Sequence, residues 1–362
     1  MKKRVVATML ALTMVFSLTA CGSGSGSSSE DSADVSTEKS ADETAEVQNI
    51  ADMSEDEIKA ALQKEPAWGT TLYAEYDGGD CTCGPAMAET LGYFDEYGLD
   101  VEIVSGTEIT EAIGTNKAQF GVHHIAHMLV PITNGVDLIF TGSAQTGCKS
   151  LYVNAGSGMK STADLVGKTV GLDGPIGSSA HNMVIRFLLA DGVNVDDVDC
   201  VQLEQSAAIQ SLINGDVDAV MLSDRYAKAF VDDGTVEVVR SITWDDDFKD
   251  ETCCVMAMNG SFVEKNPITA QVLTQCTMDA YMYIANNKEE AAKIMLDEKF
   301  VSGTQELTEY MIEQQDWTVT YDATKATIEK VADDYINAGI ITGDWTVDSV
   351  VEAAWHPLGT KK

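Results

Sequence analysis

The sequence predicts an α/β protein built from two lobes. Short apolar, β-rich runs alternate with amphipathic helical patterns along most of the chain. That alternating region is about 300 residues long, more than one compact core usually accommodates. A segment of very different composition precedes it, so the folded body is expected to begin near Trp68.

The N-terminus reads as an export signal over residues 1–20. Lys2, Lys3 and Arg4 precede an apolar run from Val5 to Leu18, interrupted only by Thr8, Thr13 and Ser17. The run is short for a membrane span and has signal-peptide flanks. It ends in Leu18-Thr19-Ala20-Cys21-Gly22, which resembles the bacterial lipobox. The resemblance implies cleavage before Cys21 and diacylation of its sulfur, and two or more acyl chains anchor stably. Gly22 to Ser29 are all Gly or Ser, and an acidic Ser/Thr/Ala-rich stretch follows to about Asn49. Residues 21–67 are therefore expected to form a lipid-anchored acidic linker. Ser54 to Lys64 could form one helix in it, with Ser54 as cap and Glu57 at the capping-box position.

The body is taken in order. Strands are expected at Thr70 to Tyr76, Leu99 to Val104, Phe120 to Val122 and Leu138 to Gly142. Helices between them cover Pro85 to Tyr93, Thr110 to Asn116 and His124 to Asn134. After Leu151 to Val153 a second module begins. Ser161 and Asp164 have capping-box form, and Lys168 to Leu172 is a strand. A Gly/Ser turn from Gly174 feeds a helix over Ser179 to Ala190. Strands at Cys200 to Leu203, Val217 to Leu222 and Val236 to Val239 enclose helices at Ala207 to Asn214 and Asp224 to Asp232. The strand Cys254 to Met258 returns the chain to the first module. The rest is helical: from Asn266, expected to cap at Pro267, then Lys288 to Leu296, Gln305 to Gln314, Ala323 to Ala338 and Val347 to Ala354.

Charge and cysteine count limit the function. With 23 basic and 58 acidic residues the formal net charge is −35, so nucleic acid is not expected as a partner. Of eight cysteines, seven lie beyond Cys21, an odd number that leaves at least one thiol unpaired in an exported chain. No nucleophile elbow, metalloprotease helix or phosphate loop is visible, and no cofactor is implied.

Three segments carry a resemblance. Leu91-Gly92-Tyr93-Phe94-Asp95-Glu96-Tyr97-Gly98-Leu99-Asp100-Val101 stops a helix, plugs the turn with aromatics and enters a strand. Lys160 to Gly171 leads a short helix into a Gly-Lys-Thr-Val-Gly strand, and Asn214 to Val220 is a helix-to-strand turn. In this order, downstream of a lipobox, they resemble the nitrate/sulfonate/taurine group of ABC solute-binding proteins, itself similar to thiamine-pyrimidine synthesis proteins. The resemblance implies a type II periplasmic-binding-protein-like fold with two crossover strands and ligand in the cleft. Lobe 1 would comprise residues 68–153 plus 254–362, and lobe 2 residues 154–253. It implies a monomer that is not an enzyme and that delivers a small molecule to an ABC permease and ATPase.

Ligands of open α/β sheets sit beyond the carboxyl ends of strands. That rule selects Asp80, Thr82 and Cys83, then Thr107, His123, His124 and Ser143 from the first lobe. From the second it selects Gly177, Ser178 and Ser179, then Ser223 and Asp224. Gly177-Ser178-Ser179 at a helix N-terminus is suited to an anionic group. Arg225 is the one obvious cation. Cys81, Cys83 and Cys148 lie near His123 and His124, which fits a disulfide from Cys148 to Cys81 or Cys83, or alternatively a soft-metal or metal-chelate site. A disulfide or a buried thiol is favoured over a metal, with the disulfide staple preferred, and no metal site is assigned. Cys253 and Cys254 are expected on opposite strand faces, and Cys200 and Cys276 in the core. His127 is expected to be structural or solvent-facing. The ligand is expected to be sulfonate- or carboxylate-like, or a heterocyclic precursor. An enzyme of the pyrimidine-synthesis type on the same fold is the alternative, as is a sensory binding protein.

Overall fold

The computed structural model describes residues 48–359 apart from Thr107. The expected signal peptide, the lipidation site Cys21 and the linker as far as residue 47 lie outside the described residues. The folded body starts well before Trp68. Ile50 is buried, its N–H donates to Gln271 Oε1, and Gln271 Nε2 donates to the carbonyl of Gln48. Helix α1 (Glu55–Leu62) opens at Ser54 with the expected capping box. Ile58 and Leu62, four apart on one helical face, are buried. Glu65 then accepts from the amides of Ile268 and Thr269 at 2.6 and 2.8 Å, satisfying the free N–H groups of the helix that begins at Pro267. The expected linker boundary at residue 67 is thereby corrected, because residues 48–67 bury apolar surface and cap a helix.

The first half follows as β1 (Thr71–Glu75), α2 (Gly84–Thr90), α3 (Tyr93–Glu96), β2 (Asp100–Val104), α4 (Ile109–Gly114), β3 (Phe120–His124), α5 (Ile125–Thr133) and β4 (Ile139–Ser143). Gly98 has φ +71, and a Cβ there would come within 3.1 Å of the Trp68 ring, so both the turn and the packing require glycine. Residues 144–148 cross to the second half. It contains β5 (Lys149–Asn154), β6 (Thr169–Leu172), α6 (Ser179–Ala190), β7 (Asp199–Gln202), α7 (Gln205–Asn214), β8 (Ala219–Ser223), α8 (Asp224–Asp232) and β9 (Val236–Ser241). Residues 242–253 cross back to β10 (Cys254–Met258). The chain then continues through α9 (Gly260–Lys265), α10 (Pro267–Asn286), α11 (Lys288–Asp297), α12 (Gln305–Glu313), α13 (Tyr321–Asn337) and α14 (Val347–Ala354).

Two five-stranded sheets result, with orders β2-β1-β3-β10-β4 and β7-β6-β8-β5-β9. In the first, β1 is parallel to β2 and β3, while β10 is antiparallel to β3 and β4. In the second, β6 is parallel to β7 and β8, while β5 is antiparallel to β8 and β9. The stretch Leu151 to Val153, read from sequence as closing the first module, therefore pairs inside the second sheet. Asn266 does not cap α10 by its side chain; its Oδ1 accepts from Ala67 N–H and its Nδ2 donates to the Phe262 carbonyl. Helix α9 falls in the stretch after Met258 that the sequence marks as helical without bounding a separate helix there.

A main apolar core runs through both halves, and a smaller one including Tyr152, Ile209, Leu212 and Leu222 belongs to the second. Side chains tie the halves together. Asn182 on α6 donates to the Ala126 carbonyl on α5 at 2.7 Å. Arg186, 2% exposed, pairs with Glu251 and with Asp334 on α13, each at 2.7 Å.

Candidate functional site

A cavity of about 350 Å³ lies where the strand ends of the two sheets meet. The first half supplies Glu75 from the end of β1, His123 and His124 from the end of β3, and Asp77, Glu108 and His127 beside them. The second supplies Lys149 from the start of β5, Asp173 from the end of β6, and Ser178 and Ser179 at the head of α6. Thiols of Cys81, Cys148 and Cys254 complete the wall. A second cavity of about 630 Å³ shares Asp77, Cys81, Cys148, Lys149 and Asp173 with the first and reaches Asp80, Ser223 and Arg225.

Burial sets the charge states. The Glu75 carboxyl is 3% exposed; burial, aided by Asp77 and Glu108, pushes it up to about 8, so it is protonated at neutral pH. Burial pulls His123 down to about 4 against the opposing carboxylate of Asp77, and holds His124 well below the usual histidine range. Both imidazoles are neutral. His124 Nδ1 accepts from Ala126 N–H at 3.1 Å, which leaves the ring proton on Nε2. Burial raises Glu108, yet the hydrogen bonds from His127, at 2.6 Å, and from Thr110 outweigh it and bring it to about 2. Lys149 Nζ donates to both oxygens of Asp173 at 2.7 and 2.8 Å. Burial lowers that ammonium, but Asp173 more than offsets the effect and holds it raised. Glu75 Oε2, His123 Nδ1, His124 Nε2 and His127 Nδ1 are buried without hydrogen-bond partners among the described residues. Native proteins leave few such atoms, and they concentrate at functional sites.

Of the residues selected from sequence, Thr82, His123, His124, Ser178 and Ser179 line the first cavity, while Asp80 and Ser223 line the second. Four lie outside both linings. Cys83 is fully buried in the core. Ser143 shares a hydrogen bond with Thr324 at 2.7 Å. Gly177 donates its N–H to His181 Nδ1. Asp224 is 1% exposed and accepts from Tyr152 and Thr243 hydroxyls. Thr107 lies outside the described residues. Ser178 caps α6 through His181 N–H at a long 3.5 Å, and Ser223 caps α8 through Tyr226 N–H at 3.2 Å. Arg225 is held rather than free; its Nε donates to Asp80 at 3.0 Å and its Nη1 to Ser302 and Thr308, while its Nη2 is buried without a hydrogen-bond partner among the described residues.

Glu75, Asp77, Lys149, Asp173 and His127 are wall residues that sequence reasoning did not select. The strand-end rule alone points to Asp173, directly after Leu172. Glu75 and Lys149 are charged residues at the ends of strands with apolar centres, which is the signal they carry. His127 faces the cavity because α5 starts directly on the end of β3.

The thiols differ from expectation. All seven described cysteines are unbridged. The Cys148 sulfur lies 3.2 Å from that of Cys253 and also interacts with the thiols of Cys81 and Cys254, and Cys253 lies 3.6 Å from Cys254. Cys253 and Cys254 thus turn toward each other, because Cys253 precedes the regular part of β10. Cys200 is half-buried, whereas Cys276 is in the core. Among the described residues, no three His, Cys, Asp or Glu side chains converge to hold a metal ion.

A family model described as NMT1/THI5 like matches residues 83–291. A candidate binding protein of Brucella abortus is 26% identical over 156 residues, which is 42% of this chain and 43% of that protein. The chain thus spans under half the length of that relative. The 4-amino-5-hydroxymethyl-2-methylpyrimidine phosphate synthase THI13 of Saccharomyces cerevisiae is 25% identical over 239 residues, 59% of this chain and 66% of the yeast protein. The solved structure of the periplasmic aliphatic sulphonate binding protein SsuA from Escherichia coli is similar with a TM-score of 0.65 at 19% identity, over 81% of this chain and 94% of that one. The family match takes in strands of both sheets, and the chain belongs to the NMT1/THI5-like family, on the α/β periplasmic-binding-protein fold that its sequence predicts.

Proposed function

We propose that this chain is an extracytoplasmic solute-binding protein that captures a small molecule between its two halves and presents it to the permease of an ABC importer. The carrying observation is the cavity at the meeting strand ends, with buried, unpartnered polar atoms in its wall. Both sheets contribute, as ligand capture by hinge closure requires. The lobes that close are the two halves built on the two sheets, joined through residues 144–148 and 242–253, acting as a monomer tethered through lipidated Cys21. Of the two ligand kinds that the sequence suggests, the wall favours a neutral heterocycle over a sulfonate or carboxylate. Lys149 is committed to Asp173 and Arg225 to Asp80, and the buried imidazoles of His123 and His124 are uncharged. A full anion would meet Asp77, Glu108 and Asp173 instead. The Nε2–H of His124 and the protonated Glu75 supply donors to ring nitrogens or carbonyls.

A thermal-shift panel of aminopyrimidines, alkanesulfonates, carboxylates and amines tests this reading. A neutral heterocycle should raise the melting temperature by mass action, and His124→Ala should abolish the rise. A shift with sulfonates alone would reject the ligand class, and no shift with any class would count against capture itself. The yeast relative keeps an enzymatic reading in view, since imidazoles and thiols share this wall. Chemical change of a bound pyrimidine during incubation would favour it.

A further inference from the structure

The two crossovers run side by side. Thr146 and Thr252 form an isolated antiparallel bridge between them, and Cys253 N–H donates to the Gln145 carbonyl at 2.8 Å. Cys148 and Cys253 stand at the far ends of these connections, with their sulfurs 3.2 Å apart and both residues buried. A disulfide bond is about 2.05 Å long, so closing the gap takes about 1 Å of side-chain adjustment. A second observation marks the same place. Cys148 has φ +122, a region that favours glycine, and its N–H is held by Thr243 Oγ1 at 2.9 Å. The surrounding structure holds this residue in an unfavourable conformation that brings its sulfur to Cys253. Cys254, at 3.6 Å from Cys253, is its chain neighbour, and joining those two would strain the intervening peptide.

We propose that Cys148 and Cys253 form a disulfide that staples the two crossovers, leaving Cys81 and Cys254 as thiols on the cavity wall. The oxidant is another disulfide, of the glutathione or oxidoreductase type. The Sγ–Sγ bond forms as both S–H bonds break, two electrons reduce the incoming disulfide, and the two protons finish on its released thiols. The staple restrains the connections about which the two halves must turn, and it does so whatever the ligand.

The test is peptide mapping of the full chain after incubation with oxidised glutathione and alkylation of remaining thiols. The expected result is one linkage per chain joining the peptides of Cys148 and Cys253, retained in Cys254→Ala. Cys253→Ala should melt about 5 °C or more below the wild type under oxidising conditions and close to it under reducing ones. Alkylation of both Cys148 and Cys253 after oxidation would overturn the proposal. So would a bond from Cys148 to Cys81 or Cys254. The mapping needs only the wild type, so a variant that fails to fold does not weaken it.

Discussion

In the first sheet, β1 and β3 end on Glu75, His123 and His124; in the second, β6 ends before Asp173 and β8 on Ser223. The strand orders correspond, each with an antiparallel strand, β10 or β5, inserted next to the last position. The walls they present to the cavity differ in kind. The first wall consists of acids and imidazoles whose protonation burial has displaced. The second consists of a helix head bearing hydroxyls and a lysine already closed onto an aspartate. The topology decides where chemistry can stand, and local burial decides which wall responds to protons.

The connection between the halves is the place to break first. Arg186 reaches from α6 to Glu251 and Asp334, and it also packs over the Phe248 ring. Arg186→Met should strand Asp334, leave Glu251 with Lys330 as its remaining partner, and cost about 3–5 kcal/mol in urea unfolding; a loss under about 1 kcal/mol would mean that the other contacts between the halves, the Asn182 bond to Ala126 among them, hold them together without it.

The next test asks whether the first wall titrates as described. Glu75 is raised from its ordinary value to about 8, so the folded state keeps a proton that the unfolded state releases. Stability should then fall as pH rises from about 4.5 to about 8. Glu75→Gln should remove that slope, gaining on the order of a few kcal/mol over the wild type at pH 9 and little at pH 4. His123 is lowered to about 4 and works in the opposite sense. Its contribution is present above about 6.5 and is lost as pH falls toward 4, so His123→Asn should flatten the acid limb. Parallel profiles for wild type and both variants would show that the wall does not titrate in this range.

The pattern of strands and helices was legible because periodicity and caps are local. Ser54, Ser161 and Ser178 cap where their spacing says they should, and β10 runs over the residues expected. The site was legible only in part. His123 and His124 follow from the strand-end rule, but Lys149 meets Asp173 through the register of separate strands, which no local window contains. The early start of the body was hidden for the same reason: Glu65 finds its partners at residues 268 and 269. Cys148 was read against Cys81 and Cys83, and its approach to Cys253 depends on two crossovers lying together.

Smaller effects sharpen the comparison. Asp80→Asn removes the carboxylate opposite Arg225, a largely shielded pair that links a first-half loop to α8. It should cost about 1–3 kcal/mol of unfolding free energy, between the values for exposed and buried pairs. Ser178→Ala should cost under about 1 kcal/mol, since its capping bond is long. If that variant also leaves ligand affinity unchanged, the second wall contributes shape rather than hydrogen bonds.

The position of β10 also has a consequence for the order of assembly. It lies between β3 and β4, yet it is made only after β5 to β9. As the chain emerges, the second sheet receives all five of its strands by Ser241, while the first still has a gap through its middle. The half that is synthesised first is therefore the half that finishes last, and β3 and β4 must wait apart, with open edges, until Cys254–Met258 arrives to join them.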